Sequence, residues 1–171
     1  MVAVLIALLQ LTVAPPAPQP PVAPWTPVTR ADPAGGPSSV SASVMTADRN
    51  ARLVVRCDRV AEPVVSIQMR IRAGIAAAPD HAVSVGIDGG APIVTPWEFP
   101  GTAIMNRATA AVTQLTVAMN GAKTISIATT DGESPVSLTF DGPNGGGGIK
   151  DVLTACGYEF GVVPKPVKAE R

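Results

Sequence analysis

Arginines are the residues of this chain whose type and spacing most suggest a binding chemistry. Residues 52–58 read Arg-Leu-Val-Val-Arg-Cys-Asp, and residues 65–72 read Val-Ser-Ile-Gln-Met-Arg-Ile-Arg. In a β-strand successive side chains point to opposite faces, so Arg56, Arg70 and Arg72 would emerge on one polar face of two paired strands. Arginine forks suit the recognition of carboxylates and phosphates. We therefore predict a possible binding patch that contains these three arginines.

Two aromatic residues, Trp97 and Phe99, are included in this predicted patch as exposed contacts. Aromatics make up only 4% of the chain, and the alternative is that these two close one end of the core. For the arginines, the alternative is a solvated face on which nearby carboxylates form surface ion pairs of little energetic value. The acidic candidates for those pairs are Asp58, Glu62 and Asp88.

The two cysteines both lie on sides predicted to face the core. Cys57 shares the inward row of its strand with Leu53 and Val55, and Cys156 ends a pattern over residues 149–156 with helical spacing. Two cysteines and one histidine match no zinc-ligand spacing, so we predict no metal site. A disulfide is expected if the protein is exported, because oxidising compartments form and keep such bonds. Two buried free thiols are the alternative.

His81 is the single histidine, and it lies beside Asp80. A Ser-His-Asp site would have to recruit Ser84 or Ser66, but no Gly-x-Ser-x-Gly motif is present. We interpret His81 as a solvated turn residue and predict no catalytic residue.

The glycine run before the last helical pattern resembles a phosphate loop only superficially. Gly148 stands where that motif requires lysine, and Lys150 comes two residues late. We interpret the run as a flexible loop and predict no cofactor.

Composition limits the classes of partner. The chain has 171 residues with 13 basic and 13 acidic side chains, which removes the electrostatic argument for nucleic acid or an anionic membrane surface. Eighteen prolines and sixteen glycines favour a strand-rich fold with many turns over a helical one. Another envelope protein is the expected partner, and the oligomeric state is left open.

The chain divides into four predicted regions. Residues 1–14 are predicted to be a signal peptide, since the apolar run is too short to span a bilayer. Residues 15–37 are predicted to be a proline-rich linker, 38–157 the folded domain and 158–171 a disordered tail. A signal peptide implies a periplasmic or secreted protein.

Alternating segments predict a mainly β, antiparallel sandwich-like domain with two short flanking helices and one disulfide. Strands are expected over residues 39–45, 52–58, 65–72, 83–87, 124–128 and 136–140. Pro92–Pro100 is expected to form only a short or edge strand, because proline cannot donate to a ladder. A period of three and four over residues 108–119 predicts a helix with Asn106 as its N-cap and Asn120-Gly121 as its end.

The order of these elements resembles that of small exported bacterial proteins grouped as type VI secretion-associated and invasion-associated locus B-like proteins. The resemblance covers roughly residues 38–157 and rests on the order of the elements and on the two cysteines. The segments that carry it include Leu-Val-Val-Arg-Cys57, Asp88-Gly-Gly, Leu138-Thr-Phe-Asp and Ile149-Lys-Asp-Val-Leu-Thr-Ala-Cys156. It implies a periplasmic β-sandwich-like domain without established catalysis. The chain departs from the invasion-associated pattern because it lacks that pattern's additional cysteines.

We therefore predict an exported, non-catalytic binding or accessory protein of the bacterial envelope or a secretion process. Two alternatives remain open. One is a secreted hydrolase with a site assembled from dispersed residues, and the other is a small secreted enzyme inhibitor that presents Pro92–Pro100 as a rigid loop.

Overall fold

A computed structural model describes residues 23–36 and 38–165. The predicted signal peptide, the first part of the predicted linker and the last six residues lie outside this range. The domain boundaries given above therefore stay predictions.

The described chain contains nine strands and two helices, and their bounds are as follows. They are β1 (Val28–Arg30), β2 (Ser39–Met45), β3 (Ala51–Asp58), β4 (Val64–Ile71), β5 (Asp80–Ile87), β6 (Ile93–Glu98), β7 (Ile104–Asn106), α1 (Thr109–Asn120), β8 (Thr124–Asp131), β9 (Ser134–Asp141) and α2 (Gly148–Ala155).

All nine strands belong to one antiparallel sheet with the order β1-β2-β3-β4-β7-β6-β5-β8-β9. The strand β4 is followed in sequence by β5, but β7 and β6 lie between them in the sheet. The helix α1 connects β7 to β8 on the far side of β5. Since β2 contacts β9 without being its neighbour in the ladder, the sheet curves strongly. The predicted mainly β class is thus confirmed, and the layers are parts of one continuous curved sheet.

The core lies on one face of this sheet, as alternation predicts. In β3, Leu53, Val55 and Cys57 are fully buried, whereas Arg52 before them is exposed and the two residues between them are half-buried. The two helices contact the sheet, α1 through β4 and β5 and α2 through β2 and β3. Buried Leu115 of α1 and Ile149 of α2 extend this aliphatic core. Burial of such side chains contributes about 1.5–3 kcal/mol each relative to exposure.

The predicted disulfide between Cys57 and Cys156 is confirmed. The Cα atoms are 5.7 Å apart, and the bond closes a sequence separation of 99 residues. It joins β3 to the C-terminal end of α2. In the chain-entropy account, a loop of this length stabilises the fold by about 4–5 kcal/mol.

Trp25 connects the two ends of the curved sheet. Its backbone N–H donates to the Ser43 carbonyl of β2 at 2.9 Å, and its indole Nε1 donates to the Asp141 carbonyl of β9 at 2.8 Å. The side chain is buried, so the indole is both packed and satisfied. The carbonyl of Trp25 lies so close to the Cα of Gly148 that a side chain there would overlap it.

Several local predictions need correction. Asn106 lies in β7 and is not the N-cap of α1, which is Ala108. The backbone N–H of Ala108 donates to the side-chain oxygen of Asn106 at 3.0 Å. His81 is buried within β5 rather than solvated in a turn. Its place in the strand puts it in the inward row, because side chains alternate from Val83.

Two segments expected to lie outside the domain take part in it. The strand β1, within the predicted linker, pairs antiparallel with β2. In the predicted tail, Tyr158 and Phe160 pack against the core, and the Tyr158 hydroxyl donates to the Pro63 carbonyl at 3.2 Å. A single valine in β1 and two aromatics in the tail carry too weak a periodic signal to reveal either contact.

Candidate functional site

An uncompensated group of arginines lies at the end of the sheet where β2, β3 and β4 turn. Arg52 of β3 and Arg70 of β4 are direct cross-strand partners in the β-ladder. Directly opposed residues have Cβ atoms about 4.5–5.5 Å apart, and like charges in that position are destabilising. A sheet does not gain stability from this pairing, so it requires another explanation.

Three further arginines surround this pair. Arg49 lies in the β2–β3 turn with a positive φ of 58°, a conformation that is uncommon for a residue with a side chain. Arg72 directly follows β4, and its backbone N–H donates to the Asn50 carbonyl at 2.7 Å. Arg30 ends β1. We call the five residues Arg30, Arg49, Arg52, Arg70 and Arg72 the arginine surface.

The arginine surface forms no ion pair with a carboxylate of the described residues. Within residues 23–36 and 38–165 there are two ion pairs, Arg56 with Asp58 and Arg107 with Glu98, and neither includes a member of it. Arg52 instead donates from Nε and Nη2 to the Ser43 hydroxyl, at 3.1 and 2.7 Å. Partial burial, then the charges of Arg30 and Arg70, lower the pKa of Arg52 below its ordinary value. The positive charges of Arg30 and Arg70 also favour the approach of an anion.

The acidic residue of the β2–β3 turn, Asp48, is engaged in holding the turn. Its carboxylate accepts from the Thr46 hydroxyl at 2.6 Å and from the side-chain amide and backbone N–H of Asn50 at 2.8 and 3.1 Å. The Thr46 bond first, then those from Asn50, lower the pKa of Asp48 below its ordinary value. This carboxylate therefore fixes the loop that carries Arg49.

A cleft of about 840 Å³ opens on the arginine surface. Four of the five arginines line it: Arg49, Arg52, Arg70 and Arg72. Apolar side chains form much of the rest of the wall, namely Met45, Ile71, Ile75 and Phe99. No aspartate or glutamate of the described chain lines this cleft. It combines fixed positive charge with an apolar wall, within the size range of small-ligand sites.

A second cleft of about 870 Å³ adjoins the first. The two share Met45, Arg49 and Arg52, and the second adds Arg30 and the carboxylate-bearing Asp141. Arg52 thus stands between the two clefts. Because an acidic residue lines the second cleft, the first is the better anion site.

The structure brings together only part of the predicted binding patch. Arg70, Arg72 and Phe99 line the first cleft. Arg56 does not line either cleft, and its guanidinium lies 2.6 Å from the carboxylate of Asp58. Trp97 is fully buried, and its Nε1 donates to the Thr95 hydroxyl at 2.9 Å. Because Trp97 is buried, it cannot contact a ligand on this surface. The role of the other predicted residues in binding stays a prediction.

Sequence reasoning missed Arg30, Arg49 and Arg52 as site residues. Arg52 carried a usable signal, because it shares the outward row of its strand with Arg56. The choice between the two depends on the β3–β4 register, which sets Arg52 opposite Arg70 and Arg56 opposite Ser66. Arg30 and Arg49 lie in segments read as a linker and a turn.

The alternative catalytic arrangement around His81 is not assembled. His81 is buried at 4% exposure, its Nε2 has no hydrogen-bond partner in the described residues, and its ring meets Phe99 edge-on with centroids 5.9 Å apart. Ser84 lies an odd number of positions away in β5, so its side chain points to the opposite face. Ser66 accepts from Gln68 at 2.9 Å on β4, which β7 and β6 separate from β5.

Two other sequence features lack a site geometry. The glycine loop directs its N–H groups inward: Asn144 donates to the Ala122 carbonyl and Gly145 to the Asn120 carbonyl, each at 2.8 Å. The Pro92–Pro100 segment contains β6 within the sheet and does not form a protruding inhibitory loop. It is short, as expected, and pairs with β7 only at Glu98 and Met105.

The described part of the chain has neither a cluster of metal ligands nor a membrane-spanning helix. Within it no three histidine, cysteine, aspartate or glutamate side chains cluster as metal ligands would. None of its helices combines the length and the apolar character needed to cross a bilayer.

Comparisons with known proteins add one finding. No protein-family model matches the chain, and no curated protein matches it significantly. Among solved structures, the chain is similar to the crystal structure of invasion associated protein B from Bartonella henselae, with 17% sequence identity, a TM-score of 0.48, and coverage of 77% of this chain and 93% of that one.

Proposed function

We propose that this protein is an exported, non-catalytic binding or accessory protein of the bacterial envelope or a secretion process, and that it binds an anionic ligand on the arginine surface. The disulfide supports work outside the reducing cytoplasm, because such bonds persist mainly in oxidising compartments. The apolar segment at residues 2–13 also supports export, because its length suits the apolar region of a signal peptide.

The observation that carries the binding proposal is the direct opposition of Arg52 and Arg70, neither of which forms an ion pair with a carboxylate of the described residues. Because directly opposed like charges cost stability, their presence supports a role for these arginines in binding an anion. Five arginines with a net positive field stand out on a chain whose formal net charge is zero. An incoming anion removes their mutual repulsion.

The chemistry of the ligand follows from the side chains. A guanidinium presents donors in a planar fork that matches two oxygens of a phosphate or carboxylate. Several forks around one cleft suit a group with two or more anionic oxygens.

The experiment measures binding of inorganic phosphate and sulfate to the oxidised protein by calorimetry and by NMR shift mapping. We expect saturable binding that weakens as salt rises, with shifts centred on β3 and β4, and at least a tenfold loss of affinity in the Arg52→Gln/Arg70→Gln double variant. Arg56→Gln/Arg59→Gln is the matched control, because it also removes two arginine charges, one from the outward row of β3 and one from the residue after it, outside both clefts. Equal losses in the two variants would refute a specific site.

Export is tested separately. The full-length chain is expressed in a bacterium, cells are fractionated, and the thiols are labelled with an alkylating reagent before and after reduction. We expect the protein outside the cytoplasm with both thiols protected until reduction. A cytoplasmic protein with free thiols would contradict this half of the proposal.

A further inference from the structure

We infer that the ligand of the first cleft is an anionic amphiphile, with a phosphate or carboxylate head at Arg52 and Arg70 and an alkyl chain against the apolar wall. This inference rests on the proposed function, which requires only an anion. It adds an alkyl chain to that anion, because the cleft has an arginine-lined part and an apolar part.

The polar half of the cleft lies on the sheet. Arg52 and Arg70 are fixed by the ladder register, and the guanidinium of Arg52 is held by its two bonds to Ser43. A head group that accepts from both arginines would meet them where their charges are closest. Such an arrangement binds without first ordering two free side chains, which reduces the entropic cost of binding.

The apolar half is formed by segments that follow the strands. Ile71 and Ile75 come from the end of β4 and the loop after it, and Phe99 follows β6. All three are only partly buried and pack against the core from outside. Met45, at the end of β2, is 44% exposed although it is a large apolar side chain. A purely inorganic anion would leave this surface in water.

The absence of carboxylates from the described lining of this cleft separates an amphiphile from a zwitterion or a basic peptide. An acidic peptide would satisfy the arginines as well, but it would need apolar side chains at matching positions to cover Met45, Ile75 and Phe99. A single alkyl chain covers a contiguous apolar wall more simply. The amphiphile is therefore the ligand that we infer, and tighter binding of an acidic peptide is the result that would replace it.

The test uses the full oxidised protein and a series of alkyl phosphates from methyl to octyl, below their micelle concentrations, with alkyl carboxylates of equal length in parallel. Affinity is measured by calorimetry. We expect it to rise by up to about fourfold for each methylene that enters the cleft, because a buried methylene contributes about 0.8 kcal/mol. The rise should stop when the apolar wall is covered.

Two variants separate the halves of the site. Arg52→Gln/Arg70→Gln should weaken every member of the series, whereas Met45→Gln should keep methyl phosphate binding and flatten the dependence on chain length. Val94→Thr is the matched control for Met45→Gln, because Val94 is an exposed apolar residue outside both clefts. Retained methyl phosphate binding also shows that Met45→Gln is folded.

Each result decides the matter. Binding of phosphate with no dependence on chain length would overturn the amphiphile and leave the anion proposal standing. No binding of any anion would overturn both. A glutamate-rich peptide that binds more tightly than octyl phosphate would replace the amphiphile by an acidic protein segment, and octyl phosphate binding that survives loss of both arginines would overturn the placement of the head group.

Discussion

Replacing Arg70 by glutamate should make the protein more stable and a weaker anion binder at the same time. Arg70 faces Arg52 directly across β3 and β4, and no described carboxylate offsets the pair. The substitution removes a like-charge contact and creates an opposite-charge contact at the same cross-strand position. Each of these changes is worth roughly 0.2–1 kcal/mol.

We expect a net gain in the free energy of unfolding of about 1 kcal/mol, since solvent screening at these exposed arginines reduces the sum. With a urea dependence of about 2 kcal/mol/M, the unfolding midpoint should rise by about 0.5 M. The gain should shrink in 1 M salt, where the Debye length is about 3 Å. Phosphate affinity should fall by at least tenfold.

The assay is urea unfolding of the oxidised protein at low and high salt, followed by fluorescence and circular dichroism, with phosphate calorimetry on the same samples. Arg56→Glu is the control. It places the same charge change on the outward row of β3, beside Asp58, and should lose stability without losing phosphate binding. The reasoning fails if Arg70→Glu is destabilised as Arg56→Glu is, or if its gain persists unchanged at high salt.

Three other predictions concern the scaffold. Under oxidising conditions Cys156→Ser should lose up to about 4–5 kcal/mol of unfolding free energy, because the 99-residue separation is no longer closed. Gly148→Ala should lower the thermal midpoint clearly, since its methyl group would overlap the Trp25 carbonyl, while Gly121→Ala, with open space around it, should not. The pKa of Asp48 is lower in the folded than in the unfolded state, so the carboxylate stabilises the fold above its unfolded-state pKa, and this effect is lost as pH falls through its folded-state pKa. Asp48→Asn should therefore be less stable than wild type at neutral pH and equal to it in acid. Urea titrations at both pH values measure the difference.

Each of these has a clear opposite result. The predicted stabilisation by the disulfide is contradicted if reduction leaves the wild-type unfolding midpoint unchanged. Equal thermal midpoints for the two glycine variants would contradict the close contact with Trp25. A stability difference between wild type and Asp48→Asn that stays constant with pH would contradict the role of the carboxylate in the turn.

The local sequence determined seven of the nine described strands, the two helices and the inward position of both cysteines, but it did not predict β1 or β7. Period-two alternation over residues 52–58 and 65–72 fixes which side chains face the core, because side chains alternate along an extended chain whatever its partner. The same rule placed Cys57 inward, and helical spacing placed Cys156 inward. Inward positions of both sulfurs are also compatible with two buried free thiols, so it is the tertiary structure, with the two Cα atoms 5.7 Å apart, that decides the disulfide.

The tertiary structure decided the composition of the site. Ladder register set Arg70 opposite Arg52 and Arg56 opposite Ser66, and register depends on hairpin geometry and packing along the whole strand. Curvature of the sheet and the path of β1 brought Arg30 near Arg52, and the loops after β4 and β6 brought Phe99 to the same cleft. Each of these arrangements depends on many weak contacts between segments that are distant in the sequence. Alternation therefore identifies an outward arginine, but only the assembled sheet shows which arginines meet.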